Sequence, residues 1–273
     1  MKIRKILVAV ISLFMAAALL TGCGTASSTS GASDLPVIKL GSDSYPPYNY
    51  LDEDGNPTGI DVELATEAFA RMGYRVEIVQ IDWEKKKELV DSGKIDCIWG
   101  SFSMDGREEE YQWAGPYLYS RQVVAVRSDS DIRTLQDLAG KVVAVQSTTK
   151  PEELFLNAEQ NGLPRLRRLY SLQNRDLLYT TLLKGYADAL AAHESAIRQF
   201  MKDYSVEYRI LDEPLMTARL GVAFAKERGD DLPQQLTEVF QEMLADGTVR
   251  QIVSRYLDDP GHYLDGLEDS AHA

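Results

Sequence analysis

What most constrains this chain is the regular alternation of short β-branched runs with segments of helical period. Residues 37–41 form a brief apolar strand run, and a Pro-rich turn follows at 45–48. From Asp61, apolar side chains recur at Leu64, Ala65, Ala68, Phe69 and Met72, and Gly73 closes the run. That is the spacing of an amphipathic helix with a glycine stop. Residues 75–81 alternate as a strand, 83–92 read as a helix, and 95–99 as a strand again. Beyond residue 120 the pattern resumes, with strand runs at 122–127, 141–146, 167–170, 187–192, 206–211 and 221–225. Helices fill the gaps, and two more are expected near 232–245 and 248–257. Such alternation predicts an α/β fold whose mostly parallel sheets are covered by helices on both faces. A length of 273 residues suits two domains or one large one.

The first 22 residues read as an address. Lys2, Arg4 and Lys5 precede an apolar stretch at 6–20, shorter than the ~18–20 residues that span a bilayer as a helix. A basic start, an apolar run and small residues after it are the marks of a secretory signal peptide. Leu20, Thr21, Gly22 and Cys23 follow in the order of a bacterial lipobox, which would make Cys23 a lipidated first residue. The alternative is a plain cleavable signal with an incidental cysteine. Residues 23–35 then read as the lipidated cysteine and a flexible Gly/Ser/Thr tether. The expected location is the outer face of the cytoplasmic membrane, held by a lipid anchor only.

Composition narrows the function classes. A net charge of -13 argues against a nucleic-acid partner, because phosphate backbones require a basic surface. With Cys23 committed to lipid, Cys97 is left alone in an apolar run, where a small buried hydrophobe is the expected role rather than a reactive thiol. His193, His262 and His272 have no metal-ligand spacing, so no metal or cofactor is expected.

Three stretches sit just beyond predicted strands, where ligands bind in open α/β sheets. The first carries Tyr45 and Tyr48; alone, it is equally a proline-shaped loop with covering tyrosines. The second holds Ser101, Phe102, Ser103 and Arg107. An arginine fork matches a carboxylate bidentately, yet Arg107 is also placed to pair with Glu108, Glu109 or Glu110. The third, Ser147, Thr148 and Thr149 before Pro151, offers hydroxyls and N–H groups to an anion, or serves as a plain helix cap.

Together these stretches resemble the extracellular solute-binding proteins of the amino-acid class (type II, family 3), the receptor components of ABC importers. The matching pieces are GSDSYPPYNYLDEDGNPTGIDVELATEAFARMG, DWEKKKELVDSGKIDCIWG, GSFSMDGREEEYQWAGPYLYSRQVVAV, DLAGKVVAVQSTT, LLKGYADALAA and ADGTVRQIVSRYL, in order from about 37 to 257. The resemblance implies two α/β lobes joined by a two-strand hinge: lobe 1 at 36–120 plus 218–262, and lobe 2 at 121–217, with 263–273 as a frayed tail. It implies a small amino-acid-like ligand captured by lobe closure, delivery to ABC permease subunits, and a monomer without catalysis. Arg107 falls at the family's carboxylate-binding position, and Thr149, with Ser147 and Thr148, in its second carboxylate loop. Tyr45, Tyr48 and Trp83 fall where aromatic rings sandwich the ligand.

The chain departs from the family pattern at three places. His193, with Glu194 beside it, stands where many relatives carry the Asp that pairs with an α-amine, so Glu194 or Asp43 substitutes, or the ligand is not a standard α-amino acid. Phe102 stands at a usual hydroxyl position unless Ser103 takes it. The run Lys85, Lys86, Lys87 is expected to be a solvated helix face, with at most one lysine toward the cleft. The alternative function is an exported enzyme on the same fold, similar to cyclohexadienyl dehydratase, with His193 or Glu194 as acid or base.

Overall fold

The computed structural model describes residues 35–267. The predicted signal peptide, Cys23, the tether up to 34 and residues 268–273 lie outside the described residues. The strands are β1 (Val37–Ser42), β2 (Tyr50–Leu51), β3 (Pro57–Thr58), β4 (Arg75–Gln80), β5 (Cys97–Ser103) and β6 (Gln112–Arg127), followed by β7 (Val142–Gln146), β8 (Arg168–Leu172), β9 (Ala189–His193), β10 (Tyr208–Ile210) and β11 (Met216–Phe224). The helices are α1 (Ile60–Arg71), α2 (Lys86–Asp91), α3 (Lys150–Leu156), α4 (Arg175–Leu183), α5 (Glu194–Tyr204), α6 (Leu232–Ala245), α7 (Thr248–Val253) and α8 (Gly261–Leu264).

Nine strands form one sheet in the order β4-β1-β5-β11-β6-β9-β7-β8, with β10 also on β6; β2 and β3 make a small separate pair. The strand–helix units pair in parallel: β1 with β4 and β5, and β7 with β8 and β9. Every antiparallel pairing of this sheet involves β6 or β11. From Gln112 to Gln122, β6 runs beside β11; from Gln122 to Arg127 it runs beside β9 and β10. One long strand therefore serves both ends of the sheet.

Burial follows the two-residue period of a strand. On β6, Val123 and Ala125 join one apolar cluster while Val124 and Val126 join another; on β7, Val142 and Ala144 separate from Val143 and Val145 in the same way. On β5, Cys97 and Trp99 pack under α1 and α6, whereas Ile98 and Phe102 pack with Trp83 and Tyr111. Both faces are covered, which is why these strands read as unbroken apolar runs. Cys97 is fully buried, and burial pushes its thiol pKa up.

The start of α1 is fixed by the loop before it. Ile60 N–H donates to Pro47 O and Asp61 N–H to Tyr48 O, satisfying donors that a helix N-terminus leaves open. Gly59 allows this approach: its φ is 118°, and a Cβ there would lie 2.3 Å from Tyr48 O.

Several boundaries differ from the sequence expectation. β6 begins at Gln112 rather than 122, and β5 runs on to Ser103 rather than ending at 99. Both extensions are sustained by pairing with β11, whose Leu220 stands opposite Ser103 and Leu118. The predicted helix at 248–257 ends at Val253. The stretch expected to fray is ordered as far as it is described, with Tyr263, Leu264 and Leu267 buried in the cluster under α1 and α6.

Candidate functional site

The strand ends converge on one tight cavity of about 30 Å³. Tyr45 comes from the turn after β1, and Trp83 from the 3-10 turn after β4. Ser101, Phe102 and Ser103 end β5, and Arg107 follows them. Gln146 ends β7, and Thr148, Thr149 and Lys150 lead into α3. Arg175 opens α4 after β8, His193 ends β9, and Gln122 enters from the middle of β6.

Of the residues expected at the site, Tyr45, Trp83, Ser101, Phe102, Ser103, Arg107, Thr148, Thr149 and His193 line this cavity. Tyr48, Ser147 and Glu194 do not. Tyr48 is fully buried in the core, its hydroxyl bonded to Ser120 Oγ at 3.2 Å and Ser195 Oγ at 2.7 Å. Ser147 N–H donates to Leu172 O at 2.9 Å, extending the β7–β8 pairing. Glu194 faces away, held by Arg121 at 3.0 Å and Arg198 at 2.6 Å. It opens α5, so the helix turns its side chain from the strand-end direction that His193 takes.

Four polar lining residues were missed, Gln122, Gln146, Lys150 and Arg175, together with the apolar Pro151, Leu178, Ala191 and Ala192, and Lys86 backs the wall. The strand-end rule that points to Ser147 could have reached its neighbour Gln146. Gln122 gives no local signal, since either face of a mid-strand residue is possible from sequence. Lys86 corrects the expectation of a solvated lysine run: it is buried, donating to Thr148 Oγ1 at 2.8 Å and Trp83 O at 3.2 Å. Its pKa falls to about 8 through burial first and Arg107 next. Lys85 stays exposed, and Lys87 pairs with Asp91 at 3.0 Å.

The cations are seated on rings. Arg175 Cζ lies 3.3 Å from the Tyr45 ring centroid, Arg107 Cζ lies 5.2 Å from Phe102, and Lys86 Nζ lies 4.9 Å from Trp83. Arg175 also pairs with buried Asp43 at 2.9 Å, and Asp43 accepts from Gln146 Nε2 at 2.8 Å. Asp43 is therefore engaged on the protein and does not line the cavity. Arg107 donates to Ser103 O at 3.3 Å and lies 3.6 Å from Glu153, which is 2.6 Å from Lys150.

His193 is neutral. Burial, and secondarily the charge of Arg175, lowers its pKa to about 3. Its Nδ1 lies 2.8 Å from Ser120 Oγ and its Nε2 lies 2.8 Å from Gln122 Nε2, so both ring nitrogens have partners. Its backbone N–H donates to Tyr45 Oη at 3.2 Å. Below it, Asp61 accepts from Ser101 N–H at 2.7 Å and from Tyr117 Oη at 2.9 Å; burial raises its pKa to about 7. Ser101 and Thr148 both take left-handed backbone conformations, φ 54° and 58°. Such strain in non-glycine residues collects at functional sites.

Trp83 Nε1, Ser101 Oγ, Gln122 Oε1 and Gln146 Oε1 are buried side-chain atoms without a hydrogen-bond partner, and all four belong to residues lining the cavity. Unpartnered buried polar atoms are rare because each costs ~1–3 kcal/mol. Among the described residues, Asn49 Nδ2, Trp99 Nε1 and Arg209 Nε are likewise unpartnered, on residues away from this cavity.

The chain is similar to known binding proteins in sequence and in fold. The histidine-binding periplasmic protein of Escherichia coli (strain K12) is 30% identical over 244 residues, covering 85% of this chain and 92% of that protein. A substrate-binding protein of an ABC uptake transporter from Streptococcus pneumoniae, solved with bound histidine, superposes with a TM-score of 0.75 at 23% identity, covering 82% of this chain and 91% of that one. An ancestral amino acid-binding protein described as a precursor of cyclohexadienyl dehydratase gives 0.71 at 24% identity, covering 81% and 95%. The fold is that of the type II amino-acid-binding proteins. Residues 38–259 match one family across nearly all of the described chain, and the protein belongs to the bacterial extracellular solute-binding proteins, family 3.

Proposed function

We propose that the protein is the lipid-anchored substrate-binding component of an ABC importer, capturing a small carboxylate-bearing, amino-acid-like solute and passing it to membrane permease subunits without turnover. The observation that carries this reading is the convergence of the unpartnered Ser101, Gln122 and Gln146 atoms on a cavity that also holds Arg107. Arg107 supplies the carboxylate fork, half-enclosed by Phe102 and Ser103, and Tyr45 and Trp83 pack on the solute's body. Family relatives named for amino acids, such as the histidine-binding protein, support the size and class of the solute.

In this reading residues 36–120 plus 218–262 form one lobe and 121–217 the other, with β6 and β11 as the hinge. The bonds from Asp43 to Arg175 and Gln146, from Lys86 to Thr148, and from Glu84 to Gln173 are then the contacts made on closure. The enzyme alternative needs an acid or base facing the solute. Glu194 faces Arg121 and Arg198 instead, and both nitrogens of His193 are engaged. Binding without chemistry is the better account.

Titration calorimetry of the purified protein against a panel of amino acids and non-amino carboxylates tests the reading. Arg107→Ala is expected to weaken binding by ~100-fold, the loss of a buried charge-assisted pair worth ~2–3 kcal/mol, while leaving the circular dichroism spectrum unchanged. Equal affinity in the variant would remove Arg107 from the site. Cys23→Ser is expected to release the protein from the membrane fraction; retention there would reject the lipid anchor.

A further inference from the structure

We propose that the solute is a small dicarboxylate without an ammonium group, with a hydroxyl at the position where an amino acid carries its amine. The inference rests on the reading of this cavity as a carboxylate-solute site and names the class of solute within it.

Three observations point the same way. First, Arg107, Lys150 and Arg175 line the cavity, and no Asp or Glu does so among the described residues. The carboxylates beside the lining residues are engaged on the protein: Asp43 holds Arg175 and Gln146, Glu153 holds Lys150, Asp61 accepts from Ser101 N–H and Glu152 from Thr148 N–H. Second, the aromatic faces that could cradle an ammonium already carry protein cations, Arg175 on Tyr45, Arg107 on Phe102 and Lys86 on Trp83. Third, His193 contributes no charge, since both ring nitrogens are paired and burial keeps the ring neutral.

A solute ammonium placed here would meet like charges and only neutral acceptors, and in a closed cavity that repulsion is not screened. A dianion meets the opposite situation. Arg107 and Lys150 share the single exposed carboxylate of Glu153, and Lys86 has only neutral hydrogen-bond partners. Two carboxylates can therefore be met without displacing the buried Asp43–Arg175 pair. The neutral acceptor is fixed as well: Gln146 gives its Nε2 to the Asp43 carboxylate, so its Oε1 is left as an acceptor, which a solute hydroxyl satisfies and a keto oxygen leaves unpaired. Gln122 leaves one amide atom without a partner whichever way its amide is assigned, and a hydroxyl, able to donate or accept, meets either assignment.

Matched pairs that differ only at the amine test this directly. Calorimetry of the purified protein would compare L-malate with L-aspartate, 2-hydroxyglutarate and 2-oxoglutarate with L-glutamate, and L-lactate with L-alanine as the monocarboxylate pair. The hydroxy dicarboxylates are expected to bind ~100-fold more tightly than their amino partners, the size of a like-charge penalty of several kcal/mol, and more tightly than L-lactate or 2-oxoglutarate, which has no hydrogen for Gln146 Oε1. His193→Asp supplies the missing carboxylate and is expected to narrow that gap by at least ~10-fold through gained affinity for the amino member, with unchanged circular dichroism as the check on folding. Equal or tighter binding of the amino members, or of L-lactate, would overturn the inference while leaving the receptor reading intact. Binding of neither series would overturn the inference, and the receptor reading falls with it only if the full panel of amino acids and carboxylates also fails to bind.

Discussion

At the scale of single residues, two buried titratable groups oppose one another. His193 is held neutral in the folded chain, its pKa lowered from 6.5 to about 3 by burial and then by Arg175. Between those values the unfolded chain binds the extra proton, so stability falls as pH drops, by ~1.4 kcal/mol per unit at most. Asp61 has the opposite sign. Burial raises it from 3.8 to about 7, so the folded chain holds the proton through that window and stability falls as pH rises. The two slopes overlap and offset one another from about pH 4 to 6.5. Urea denaturation across that range is expected to give a flat profile for the native chain. Removing one group should expose the other: His193→Gln loses stability toward higher pH, and Asp61→Asn toward lower pH. Parallel profiles for all three would show that neither group titrates as its surroundings imply. Neither role was legible beforehand. Asp61 reads as an acidic first-turn residue of α1, and only the packing of β5 and Tyr117 over it makes it a buried support for Ser101.

The elements were the most legible level. Apolar spacing gave α1 and α6 almost residue for residue, because a buried helix face leaves its period in the sequence. The first half of β6 was hidden, since Gln112, Gly115 and Pro116 break the apolar run and the strand is sustained by pairing with β11. β5 illustrates how an element positions the site. Gly100 sits where a Cβ would lie 2.6 Å from Ser42 Oγ and 3.1 Å from the Trp83 ring. The ring can lie against the strand only because that side chain is missing. Gly100→Ala should push Trp83 off the cavity wall, cost ~1–3 kcal/mol as an overpacked contact, and weaken solute binding. Trp83 fluorescence and thermal melting would record it, and a variant with native melting and native affinity would refute the close-approach argument.

At the scale of the whole molecule, the charges that matter are joined across long stretches of chain. Asp43 and Arg175 pair at 2.9 Å with both side chains almost buried. Removing one partner from such a pair costs ~3–5 kcal/mol when the other stays buried. If the two ends of the sheet move as lobes, Asp43→Asn relieves that cost by opening, which hydrates Arg175. Small-angle scattering of this variant is expected to show a larger radius of gyration than the native chain, and a bound solute should reduce the difference. An unchanged radius together with a lowered melting temperature would mean the pair holds the fold rather than the closure.

The sequence by itself determined the strand–helix order, the strand ends at which a ligand would meet the chain, and Arg107, Thr148, Thr149 and Tyr45 as residues at those ends, whereas Trp83 was reached only through the family resemblance. These follow from local period and from position relative to a strand, which neighbouring residues encode. Only the tertiary structure decided which polar groups are consumed by the protein and which remain for a solute. Tyr48 is spent on Ser120 and Ser195, Glu194 on Arg121 and Arg198, and Asp43 on Arg175, whereas Gln122 and Gln146 keep an atom free. Hydrogen bonds and buried charges are settled by partners distant in sequence, and the chemistry of the cavity is what those partners leave over.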